Sequence, residues 1–146
     1  MNRNMMGGMV VLAVIGLLFA GMLAFRHFPQ GRTFNIQVEK ANGLKVADFV
    51  YMKGVRIGEV SKVSLSDSGG VSVSVSIYKT VEMGIPSDSY IYIWPDQFLT
   101  GKKCVVIDPG ASSELVEAGS TVRGESDFLE IGKYLFSRKL HEIRGD

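Results

Sequence analysis

The sequence predicts an all-β body, a small barrel of about seven short strands, with a transmembrane helix before it and an amphipathic helix after it. Three features carry that prediction. No charged residue occurs from Met5 to Phe25. Val71, Val73, Val75 and Ile77 alternate strictly with Ser72, Ser74 and Ser76, the mark of a strand with one apolar face. From about Ser126 onward the apolar spacing changes from alternation to a helical period. The chain then divides into a tail (1–4), a transmembrane helix (5–25), a linker (26–32), the β-barrel domain (33–123) and a terminal amphipathic helix (124–146).

The run Met5 to Phe25 meets the length of about 20 apolar residues that a helix needs to cross a bilayer core about 30 Å thick. A cleaved signal peptide is the competing reading, with an apolar region of about 7–15 residues and a small-x-small cleavage site. Here the run is longer and Arg26, His27 and Phe28 follow it, so a retained single-pass anchor is expected. Gly16, Ala20 and Ala24 put small side chains on one helix face, which permits close helix approach in lipid; Gly and Ala are also common in membrane helices generally. Arg3 on one flank and Arg26, His27 and Arg32 on the other leave the orientation undecided.

In the β body, Thr33 to Glu39, Val50 to Lys53, Tyr90 to Trp94 and Lys103 to Asp108 read as strands beside Val71 to Ile77. Val60, Val63 and Leu65 belong to the strand before the turn "SDSGG" (Ser66 to Gly70). Val116 to Val122 gives a last strand, interrupted at Ala118-Gly119. Short strands with frequent turns fit a closed barrel or a sandwich, and a barrel leaves no exposed edge. In the terminal helix Leu129, Gly132, Phe136, Leu140 and Ile143 share one face, with Phe128, Ile131 and Leu135 beside it. Ser126 or Asp127 can cap its start, and Arg138, Lys139 and Arg144 suit its C-terminal end. Spacing favours packing on the barrel or a neighbouring chain over a bundle around an axis.

Composition excludes several functions. The formal net charge is +1, and no basic, aromatic-studded stripe invites nucleic acid. Cys104 is the single cysteine, which excludes an intrachain disulfide and a Cys-based zinc site and reads as a small core residue. His27 and His141 lie near opposite ends, without a second ligand nearby, so no metal is expected. The serines alternate along strands without an activating base, and "GVRIG" (Gly54 to Gly58) precedes no helix and no P-loop lysine. Asp48, Asp67, Asp88 and Asp108 sit in turn contexts, where bonding to nearby backbone amides is the default. No enzyme and no cofactor are expected.

One stretch asks for a partner. "WPDQFLTGK", Trp94 to Lys102, has turn composition, yet Phe98 and Leu99 lie side by side within it. Burying each is worth about 1.5–3 kcal/mol, so something should cover them. Spacing alone favours their own barrel.

The segment "NGLKVADFVYMKGVRIGEVSKVSL", Asn42 to Leu65, resembles the signature of MCE (mammalian cell entry) domains, specifically of MlaD-like proteins. Gly43-Leu44, Ala47-Asp48, Val50, Gly54-Val55, Gly58 and Val60 carry the resemblance, and "VSVSVSI", "IPSDS", "FLTGK", "VVIDPG" and "LVEAGSTV" continue it in register. Gly43, Gly54 and Gly58 are read as supplying backbone freedom at sharp turns or bulges. Ala47 stands where the family usually has Gly and Phe49 where Pro is common, so that turn is open to a different conformation. The loop "PDQFLTG" departs from the commoner Ser-Gly-Leu-Leu-Gly but keeps an apolar pair.

The resemblance implies a homohexameric ring in which Phe98 and Leu99 form a hydrophobic pore, covered by their symmetry copies. Leu129, Phe136 and Leu140 would extend that pore as a helical collar. It implies phospholipid as cargo, ABC permease and ATPase subunits as partners, and a single-pass inner-membrane protein with its β domain in the periplasm. A rival reading is a membrane-tethered β-barrel adaptor or scaffold of an export complex, without a lipid conduit. Such adaptors usually carry a long coiled-coil hairpin, and no sustained heptads occur here.

Overall fold

Side chains that alternate between water and a shared interior fix most of this fold. The computed structural model describes residues 11–21, 31–96 and 101–145. Residues 11–21 form a helix, α1, whose side chains are all exposed. Seven strands follow: β1 (Arg32–Val38), β2 (Phe49–Met52), β3 (Val55–Leu65), β4 (Val71–Ile77), β5 (Tyr90–Pro95), β6 (Lys103–Asp108) and β7 (Thr121–Arg123). Helix α2 (Phe128–Arg144) follows them. Phe34, Ile36 and Val38 of β1 meet Val73, Val75 and Ile77 of β4 in the core, joined by Val50, Val60, Ile91, Ile93, Val105 and Ile107. Burying each such side chain contributes about 1.5–3 kcal/mol, which makes this interior the main source of stability.

The strands form a single curled sheet in the order β5-β6-β2-β3-β4-β1-β7. β1 runs parallel to β7 and β2 parallel to β6, while the other neighbours are antiparallel. A closed seven-stranded barrel was the expectation, and the strands instead form one curled sheet, a half-barrel whose ladder does not close. Its edge strands meet at an isolated bridge between Tyr92 and Glu125. There the Glu125 N–H donates to the Ile91 carbonyl (2.8 Å) and the Ile93 N–H donates to the Glu125 carbonyl (3.0 Å). The cause is a shortened last strand. The expected Val116 to Val122 strand is split: Val116 N–H bonds the Ile85 carbonyl, Gly119 takes φ 80°, and β7 begins only at Thr121.

Turn chemistry explains the register. Lys53 (φ 51°) and Gly54 (φ 78°) are both left-handed, as a two-residue type I′ hairpin between β2 and β3 requires. Gly43 (φ 86°) follows Asn42 (φ 51°) in a second turn of that kind. Gly58 differs from the expectation of backbone freedom. A Cβ there would lie 2.2 Å from the Ser76 carbonyl oxygen, so this glycine permits close approach of β4 beside the β2–β3 register shift. Ala47 keeps a left-handed backbone (φ 72°) despite its Cβ, so the turn retains the conformation a glycine would take. Asp48 accepts from the Lys45 N–H (2.7 Å), and Asp88 from the amides of Ala111 (3.0 Å) and Ser112, as turn aspartates should. Cys104 is a core residue whose thiol donates to the Trp94 carbonyl, and burial pushes it up to about 12.

Among the described residues no helix is long and apolar enough to cross a membrane. The expected anchor, residues 5–25, is described only across α1, where it is helical. Residues 5–10 and 22–25 lie outside the described residues.

Candidate functional site

Phe98 and Leu99 fall in the sequence between β5 and β6, whose pairing is described as far as Asp96 and from Gly101 onward. At this neck Trp94 pairs with Cys104 and Pro95 with Lys103, and the Asp96 N–H donates to the Lys102 carbonyl (3.0 Å). Gly101 turns the chain back with φ 68°. Residues 97–100, and so Phe98 and Leu99, lie outside the described residues.

Helix α2 starts on that neck. The Phe128 ring meets Trp94 edge-on at 6.0 Å, and the Lys103 ammonium lies 5.3 Å from the Phe128 ring centre. The helix start is fixed by polar contacts. Asp127 is the N-cap, its carboxylate accepting from the Leu129 N–H (2.7 Å). Glu125 accepts from the amides of Ser126 and Asp127, and the Lys40 N–H donates to the buried Ser126 hydroxyl. The Asn42 side chain donates to the Ser126 carbonyl. Asn42, in the signature segment, thus both makes a turn and anchors the helix.

From there α2 runs back along the sheet, antiparallel to β5. Ile131 is its one buried residue. The Tyr134 ring stacks on Tyr90 with centres 3.8 Å apart and planes 19° apart. The Tyr134 hydroxyl donates to the Asp108 carboxylate (2.6 Å), and Arg138 forms an ion pair with the same carboxylate. Burial, reinforced by that hydrogen bond, pushes the Tyr134 phenol up to about 12. Asp108 was expected to bond backbone amides in a turn. Instead it is buried at the end of β6 and serves two side chains of α2.

The other side of α2 is largely uncovered among the described residues. Leu129 (67%), Phe136 (68%), Leu140 (44%) and Ile143 (72%) are exposed, so the face that sequence spacing singled out points away from its own barrel. Ile131, placed beside that face by spacing, lies on the opposite, docking side. Leu129, Phe136 and Leu140, the residues expected to form a collar, therefore share a stripe that begins at the loop neck and leads away from it. At about 1.5 Å per residue, Phe136 stands about 12 Å along the helix from Phe128. Tyr90, Asp108, Tyr134 and Arg138 went unrecognised as a group. Only the spacing of Ile131, Tyr134 and Arg138 along one helix face hints at them.

A family model described as MlaD protein matches residues 30–110, more than half of the 146-residue chain. Among solved structures, a chain of the Acinetobacter MlaFEDB complex in its ATP-bound Vtrans1 conformation is similar, with a TM-score of 0.59 and 18% identity. That similarity covers 92% of this chain and 100% of that chain. No curated protein matches.

Proposed function

The chain belongs to the MlaD family, whose role is lipid transport, and from that premise we propose that it forms a homohexameric ring with a hydrophobic central pore for phospholipid. The ring is the periplasmic part of an inner-membrane ABC system and passes lipid between that transporter and the outer membrane. Residues 5–25 anchor each chain as a single transmembrane helix, and α1 is the described part of it. Permease and ATPase subunits are the partners, a reading supported by the similarity to a chain of an ATP-bound MlaFEDB complex.

The observation that carries this reading is the inside-out helix. Leu129, Phe136, Leu140 and Ile143 point away from the sheet on which Ile131 packs, and their stripe begins at the neck of the Phe98–Leu99 loop. Leaving four large side chains in water forgoes about 1.5–3 kcal/mol each, which copies arranged around an axis recover. A ring lined by Phe98 and Leu99 and continued by Leu129, Phe136 and Leu140 offers a dry, non-directional surface. Each acyl methylene held out of water there gains about 0.8 kcal/mol, so a tail can enter and slide without being gripped.

The test replaces both loop residues with asparagine, Phe98→Asn and Leu99→Asn. The ring should assemble as before, while lipid passage, read as detergent resistance restored to a deletion strain, should be lost. Resistance restored to the level of the parent protein would remove these residues from the pore. Native mass spectrometry checks the assembly: a hexamer with bound phospholipid is expected, and a lipid-free monomer at high concentration would overturn the ring.

A further inference from the structure

The two faces of α2 pose a selection problem. At about 100° per residue, Ile131, Tyr134 and Arg138 fall within an arc of about 60°, and Leu129, Phe136, Leu140 and Ile143 fall within a second arc about 180° away. The second arc is the more apolar. If apolar burial alone chose the docking face, α2 would turn that stripe onto its own barrel and leave nothing for a neighbour. The barrel instead receives Ile131 and two polar side chains.

A directional contact explains the choice. Asp108 is 8% exposed, and a carboxylate taken out of water costs several kcal/mol unless it is paired and hydrogen-bonded. Its side-chain partners, Tyr134 and Arg138, both come from α2, one turn apart. Turning the helix would strand that buried charge. The Arg138 side chain is 58% exposed, so the pair is closed from the solvent side by a residue that the core does not need.

We infer that Asp108 is the positioning residue of the collar: through Tyr134 and Arg138 it sets the rotation of α2 about its own axis, and so decides which side chains face neighbouring copies. The inference rests on the proposed ring for its functional meaning, whereas the rotation itself belongs to each chain.

The test uses the full-length protein in detergent, with one cysteine added at position 136 (Phe136→Cys) or at position 137 (Ser137→Cys) and a short thiol cross-linker. Cys104 is buried and does not compete. In the parent background, cross-linked dimer should exceed that from position 137 by at least tenfold at position 136. Arg138→Gln and Asp108→Asn should bring that ratio close to one, and Arg138→Lys should restore it. A mere loss of stability lowers both yields together and leaves the ratio alone, so an unchanged ratio in both variants overturns the inference.

Hydrogen exchange of the α2 amides, which needs no neighbour, is read in parallel. It should quicken at least tenfold in Arg138→Gln while the amides of β1 and β4 keep their rates. Unchanged α2 exchange also overturns the inference. Quickened exchange without cross-linking at either position in the parent would uphold the attachment by Asp108 and overturn the ring instead.

Discussion

Ile131 is the place where α2 is most exposed to a single change. It is fully buried, it is the only buried residue of the helix, and it lies outside the main core cluster of the barrel. Ile131→Ala removes three carbon atoms, about 2.4 kcal/mol at about 0.8 kcal/mol each. The cavity left behind brings the expected cost to about 2–5 kcal/mol. The helix has other attachments, among them the pairing of Tyr134 and Arg138 with Asp108 and the Tyr90–Tyr134 stack, about 0.5–1.5 kcal/mol beyond its buried area, but none of them refills the space that Ile131 leaves. Docking should therefore weaken by a factor of roughly fifty or more, since each 1.4 kcal/mol is about tenfold. Hydrogen exchange followed by mass spectrometry is the assay. Peptides covering Phe128–Arg144 should exchange roughly fiftyfold faster, while peptides from β1, β3 and β4 keep their protection. Phe136→Ala, on the opposite and exposed face, should change the stability of a single chain by less than about 0.5 kcal/mol and act only on assembly. Equal exchange in α2 of Ile131→Ala and of the parent would refute the packing argument. Loss of the whole amount from the barrel would refute the claim that helix and barrel are separable.

Two further outcomes follow from the backbone and from the thiol. Ala47→Gly relieves a Cβ from a left-handed backbone that costs about 1–2 kcal/mol; after the extra freedom glycine gives the unfolded chain, about 0.5–1 kcal/mol of stabilisation should remain, read as a higher urea midpoint at constant slope. The Cys104 thiol is raised from 9.0 to about 12 in the folded chain, so below about pH 9 both states hold its proton, and above it the unfolded chain releases a proton that the folded chain keeps. Its contribution is thus complete below pH 9 and declines as pH rises toward 12; urea midpoints should fall more between pH 8 and about 10.5 in the parent than in Cys104→Ala, and equal falls would contradict the burial.

The strands were legible because alternation is a local signal. Val71 to Ile77 came out residue for residue, since valine and serine differ so sharply in their cost of burial. The Asp127 cap was one of two residues named for it, because short oxygen-bearing side chains announce helix starts. The last strand was read too long: Val116 and Val122 both look strand-like, but the left-handed Gly119 between them turns the chain. Helix orientation was not legible for a different reason. Periodicity finds the widest apolar stripe and cannot tell whether it faces inward, and here Asp108, distant in sequence, turns that stripe outward. The turn around Ala47 shows the converse, an unusual residue held in the expected conformation by its surroundings, its N–H bonded to the Val60 carbonyl.

Glu125 has a consequence for the order in which the molecule comes together. Its backbone joins the two edges of the sheet, and its carboxylate binds the first amides leading into α2. The parallel pairing of Asn35 with Thr121 joins segments from the two ends of the β body, and contacts so distant in sequence form slowly. Until they form, Glu125 has no second edge to join to β5. The helix then has its local cap but lacks the anchors that Lys40 and Asn42 give its start and a finished surface for Ile131. The helix is local in sequence and quick to form by itself, yet it waits for the slowest contact in the domain. Of the described elements, α2 should therefore dock last and release first.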